Sequence, residues 1–251
     1  MPNHASTDEI VQAAWNASKT YWKEFVLLPI IVSVAFFLLL GLLSATILSY
    51  SSGFSGIVLL LAIAAGIFAV SYYGAQVKWC EEIHNGAKTI DIQDGLKFGL
   101  SRFWGLVGTA LLTGIKTFLW MLLLILPGYY KGIMYSKSTR VSILDGISGG
   151  DANRISEAIV KKAGPIRTFS NLMGVTTLGV VAMYLLIALA LLFAGFFGVM
   201  NEYAGLIVGG VLGGGAYAFA ITVITVYFHF EYLYYRDEAK AEVAALKKVL
   251  S

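Results

Sequence analysis

Four cations stand where a chain can least tolerate them. Lys116 lies near the middle of an apolar run at 103–126, and Lys131, Lys137 and Arg140 follow within the helix-length segment 129–147. An ionisable group in a membrane-like stretch is costly and marks a functional site by default. Trp120 follows Lys116 by one helical turn, within reach of a cation–π contact. Across both segments the only obvious acid is Asp145. Buried charge needs a partner. With carboxylates this scarce, the partner is a phosphate headgroup, a permeating anion or water. An anion- or lipid-headgroup-binding crevice is therefore expected here; a wet vestibule with no specific ligand is the alternative.

Other chemistry is thinly represented. Glu81 and His84 share a helical face, and His229 and Glu231 close the last apolar run. With only three histidines in the chain, one of them His4, these read as interfacial polar residues, and neither a metal nor another cofactor is expected. Phosphate-loop, dinucleotide, zinc-protease and nucleophile-elbow motifs are absent. No serine has a recognisable base, so an enzyme is not expected. The single cysteine, Cys80, excludes an internal disulfide and a multi-thiolate metal site.

The elements that would position these residues are membrane spans. Only 13% of the 251 residues are charged and 58% are hydrophobic, with mean hydropathy +0.75. A water-facing domain carries about 25% charged residues, so this chain cannot cover one. Its apolar runs are long enough to cross roughly 30 Å of hydrocarbon. The expected fold is an all-α polytopic bundle with spans at 25–48, 56–77, 103–126, 129–147, 173–199 and 205–230.

Charge placement decides the count. Lys78, Lys88, Lys97 and Arg102 follow the second run; Arg154, Lys161, Lys162 and Arg167 precede the fifth; Arg236, Lys240, Lys247 and Lys248 fill the tail. The turns at 49–55 and 200–204 contain no Lys or Arg. The positive-inside rule puts the basic connections and both termini in the cytoplasm, which requires 129–147 to cross; otherwise there are five spans. Such a crossing would need shelter from lipid by neighbouring helices or water.

The flanking pieces follow. Residues 1–24 hold an amphipathic interfacial helix, with Ser6 and Glu9 as a capping box and Trp15 and Trp22 at the headgroup level. The first apolar run lacks a cleavage-site pattern and reads as a signal anchor. Asp91 or Thr89 caps a short helix. Asp151 caps another over 152–162, ended by Gly164-Pro165, whose Arg154, Lys161 and Lys162, with Arg167, suit anionic headgroups. Gly205, Gly209 and Gly213, interleaved with Gly210 and Gly214, predict close helix packing within the bundle or across a homodimer or a partner membrane protein. A helix broken at Gly213-Gly214-Gly215 is the rival. Residues 236–251 form a helical cytoplasmic tail extending into water.

Three short patterns, Leu126-Pro127-Gly128-Tyr129, Asp151-Ala152 through Lys162-Ala163-Gly164, and Tyr234-Tyr235-Arg236-Asp237, resemble a group of uncharacterised prokaryotic six-span membrane proteins. The group includes the membrane domain attached to some glycerophosphoryl diester phosphodiesterases. The resemblance implies six spans and a prokaryotic cell membrane; it implies no activity, and the phosphodiesterase domain has no counterpart here. The functional expectation is a non-enzymatic, lipid- or partner-binding bundle, with membrane lipids rather than nucleic acid as partners. A small transporter or channel lined by 129–147 is the alternative.

Overall fold

The computed structural model describes residues 5–31, 52–200 and 202–250. Most of the first expected span, 25–48, lies outside them. The described residues are all helical, without strands: α1 (Thr7–Thr20), a π-helical turn (Lys23–Leu27), α2 (Ser52–His84), α3 (Ile92–Ser101), α4 (Phe103–Leu123), α5 (Ile125–Met134), α6 (Ser138–Asp145), α7 (Gly149–Ala163), α8 (Pro165–Met200), α9 (Glu202–Glu238) and α10 (Lys240–Leu250). Three stretches among the described residues are long and apolar enough to cross a membrane: Leu59–His84, Phe103–Leu123 and Pro165–Leu186.

The chain divides into two compact units. One comprises Met1–Trp15, Val70–Gly174 and Val226–Ser251, the other Asn16–Ala69 and Val175–Thr225. The first carries the chemistry. Its buried residues include Trp79, Tyr232, Tyr235, Ile143 and Ile155, and alongside them Lys137, Asn153, Ser156, His229 and Glu231. The second is apolar. In it Gly179 leaves room for the Ile224 side chain, which a β-carbon would overlap.

Local signals set several boundaries as expected. Glu9 N–H donates to Ser6 Oγ at 3.2 Å and Ser6 N–H to Glu9 Oε2 at 2.7 Å, a complete capping box. Asp91 accepts from the N–H groups of Gln93 (2.8 Å) and Asp94 (3.2 Å) at the start of α3. Gly164, at φ 99°, ends α7, and Pro165 opens α8 directly, where its missing N–H costs nothing.

Other boundaries move. The expected span at 129–147 is not one helix: α5 ends at Met134, a turn covers 135–137, and α6 starts at Ser138. At 10 and 8 residues, α5 and α6 rise about 15 and 12 Å, each well short of the hydrocarbon thickness. The break falls at Lys137, whose side chain is buried and pairs with Glu231.

The apolar run 103–126 also ends early, at an extended Leu124 (φ −155°, ψ 124°), and Pro127 sits inside the first turn of α5 rather than terminating α4. Asp151 does not cap α7: the N-cap is Ser148, without a side-chain hydrogen bond, and Asp151 lies in the first turn. The tail does not simply extend into water. Val243 is buried, Lys162 Nζ meets Glu242 Oε1 at 2.8 Å, and Lys247 Nζ meets Asp145 Oδ1 at 2.6 Å, docking α10 on α6 and α7. The Lys162 hydrogen bond holds the Glu242 carboxyl below its ordinary value of 4.5. α9 runs unbroken through Gly213-Gly214-Gly215, against the discontinuous-helix alternative.

Candidate functional site

Two polar clusters occupy the first unit. The deeper one is built by α6, α8 and α9. Lys137, 2% exposed, forms an ion pair with Glu231, 0% exposed. Asn171 Nδ2 donates to Glu231 Oε1 at 3.3 Å and to Tyr235 Oη at 3.1 Å. The Lys137 ammonium also faces the Phe228 and Tyr235 rings at 5.6 and 5.5 Å. Beside it, Arg140 Nε donates to His229 Nδ1 at 3.0 Å, and Arg140 Nη1 donates to the Ser136 carbonyl at 3.2 Å. A guanidinium can only donate. His229 therefore accepts at Nδ1 and carries its proton on Nε2, packed edge-on against Tyr73 at 5.1 Å.

The second cluster lies where α4 meets the start of α7. Gly149 N–H donates to Thr109 Oγ1 at 2.9 Å, and Thr113 Oγ1 donates to Asn153 Oδ1 at 2.8 Å. Beside these contacts is a cavity of about 280 Å³ lined by Lys116, Tyr135, Gly150, Asp151, Asn153, Arg154 and Glu157. Asn153 is only 2% exposed and its Nδ2 has no hydrogen-bond partner. A buried amide donor without an acceptor costs about 1–3 kcal/mol. Lys116 has no carboxylate partner among the described residues. The two acids here are engaged: Glu157 by Lys131 (2.7 Å) and Lys161 (3.9 Å), Asp151 by Arg154 (3.5 Å). The cavity therefore offers a free ammonium, an orphan amide N–H and the start of a 15-residue helix, all of which favour an anion, beside a guanidinium and two carboxylates that are already paired.

The four cations singled out from sequence thus separate. Lys137 pairs with Glu231 in the deep core, where Arg140 is held by His229 and the Ser136 carbonyl instead of an acid; Lys131 is spent on Glu157, and Lys116 has neither an acid nor another hydrogen-bond acceptor among the described residues. Acids are not scarce once the chain folds, because Glu157 and Glu231 arrive from α7 and α9. Of the expected basic surface, Arg167 pairs with Glu238 at 3.3 Å and Lys162 with Glu242, whereas Arg154 and Lys161 remain mostly exposed. Gly205, Gly209, Gly210, Gly213 and Gly214 all lie within α9.

Sequence reasoning missed Asn153 and Asn171. For Asn153 a signal existed. Asn153, Ser156 and Val160 recur at helical spacing and are all buried, so this face of α7 turns inward. Asn171 had none, since it falls just before the expected fifth span at 173–199, in a stretch without a helical pattern of its own.

A scan against protein-family models, a search of curated proteins and a search of solved structures each return no match, so the reading of this chain rests on its own residues.

Proposed function

We propose that the protein is a non-enzymatic integral protein of a prokaryotic cell membrane that binds an anionic lipid headgroup in the cavity between α4 and α7. One observation carries the reading: Lys116, without an acid, and Asn153, with an unused buried donor, line the same cavity. A phosphate oxygen would satisfy both, and Arg154 and the N-terminus of α7 would add to its binding. The transport alternative has less support, because Lys137 and Arg140 are satisfied internally by Glu231 and His229.

The test is thermal unfolding of purified protein in phosphatidylcholine nanodiscs with increasing phosphatidylglycerol. Anionic lipid is expected to raise the midpoint of the native chain by several degrees, and Lys116→Gln and Asn153→Leu to lose most of that rise. Equal stabilisation of all three proteins would overturn the assignment.

A further inference from the structure

The α4–α5 hairpin leaves a continuous apolar stretch of the first unit uncovered. Residues 118–126 are all exposed, and all are apolar or aromatic (FLWMLLLIL). Leu123 is 73% and Leu126 81% exposed. Below this tip the two limbs are held. Thr109 and Thr113 sit on α7 through the hydrogen bonds described above, and Lys116 lines the cavity beside it. A β-carbon at Gly132 would lie 3.3 Å from Thr117, and one at Gly128 would lie 2.6 Å from Met121 Cα. The limbs therefore run side by side, antiparallel, and Met134 is already fully buried.

We propose that this hairpin enters the bilayer from the side that carries the basic connections, reaches about its midplane, and turns back without crossing. Three observations support it. From Lys116 to the turn at Leu124 is eight residues, a rise of about 12 Å against a hydrocarbon core of roughly 30 Å. α4 has the length to cross, but one face of its first half is packed on α7 through Thr109 and Thr113, and α5 has too few residues to cross back.

Both backbone polar groups of the extended residue at the turn are paired. Leu124 N–H bonds to the Trp120 carbonyl and its own carbonyl accepts from Gly128 N–H, both at 3.0 Å, while Pro127 brings no N–H to satisfy.

The charge pattern is the third. A re-entrant hairpin leaves the basic segments before and after it on one face, as two full crossings would. The rule that required 129–147 to cross is thus met by a chain whose α5 and α6 are too short to do so. The occupant of the exposed face is lipid acyl chain. This inference is independent of the headgroup reading.

The test uses single cysteines in a Cys80→Ser background, in intact cells, with a membrane-impermeant maleimide. Ser52→Cys, in the turn without Lys or Arg, is expected to label from outside, and Ser148→Cys only after lysis. Leu124→Cys and Leu126→Cys are expected to resist the reagent in both states. A fluorophore attached at either, in reconstituted protein, is expected to be quenched most strongly by lipids carrying the quencher deep in the acyl chain. Labelling of Leu126→Cys from outside with Ser148→Cys protected would mean two full crossings and overturn the proposal. Labelling of Ser148→Cys from outside would mean that α4 crosses alone. Labelling of Leu126→Cys only after lysis, with no quenching, would place the tip in water or against protein. Should either leucine variant fail to assemble, as judged by size-exclusion profile, Leu123→Cys replaces it with the same expectations.

Discussion

Lys137 and Glu231, 94 residues apart, form an ion pair with almost no access to solvent, and it closes the core of the first unit. Lys137 comes from the turn that divides the expected fourth span, and Glu231 from the aromatic end of α9. The pair ties the middle of the chain to its last long helix.

Removing one partner leaves the other charged, buried and uncompensated. Lys137→Met and Glu231→Leu should each destabilise the protein by about 3–5 kcal/mol, whereas the double variant should recover much of the loss. Unfolding by denaturing detergent, measured on all four proteins, checks this. Additive losses would mean the pair is not coupled.

His229→Phe should cost about 1–3 kcal/mol, because it removes the acceptor that faces Arg140 Nε. Arg140 would keep the Ser136 carbonyl. His229→Gln, which can supply an acceptor, should lose less. The same unfolding assay decides, and equal losses would show that packing against Tyr73 matters more than the hydrogen bond.

The α2–α3 contact is a backbone approach. A β-carbon at Gly99 would overlap the Ser71 carbonyl, and one at Gly74 would sit 2.7 Å from Gly99 Cα. Backbone cannot step aside as a side-chain end can, so Gly99→Ala should destabilise by about 1–3 kcal/mol. Gly108→Ala, where nothing lies within 4 Å, serves as the control with little expected change.

Acid should loosen α10. Glu242 is held below 4.5 by Lys162, so its contribution is present above the ordinary carboxylate range and fades as pH falls through and below it. Both side chains are well exposed, so the effect is small and salt-sensitive. Hydrogen exchange in 240–250 should quicken between neutral pH and about 4 more in the native chain than in Lys162→Ala, after correction for intrinsic rates. Identical pH dependence would exclude this pair as the cause.

Much was determined by the amino-acid sequence itself. Composition and run length gave an all-helical chain with membrane-length apolar helices. Capping chemistry at Ser6, Glu9, Asp91 and Gly164 marked helix ends correctly, because a cap acts over three or four residues and needs no distant partner. The charge pattern implies basic connections on one face but does not say how they come to lie there. Two crossings and a half-depth hairpin obey the same parity.

Only the tertiary structure divided 129–147 at Lys137, whose partners there, Glu231 for the ammonium and Ser156 for the N–H, come from other helices. The partners of Lys131, Lys137 and Arg140 were hidden for the same reason. An ion pair depends on spatial proximity, and in a helical bundle that proximity is set by packing between segments far apart in the chain. Lys116 was singled out from sequence as an intramembrane lysine. That its ammonium is left without a carboxylate, beside the unused donor of Asn153, was decided by the packing of α4 on α7.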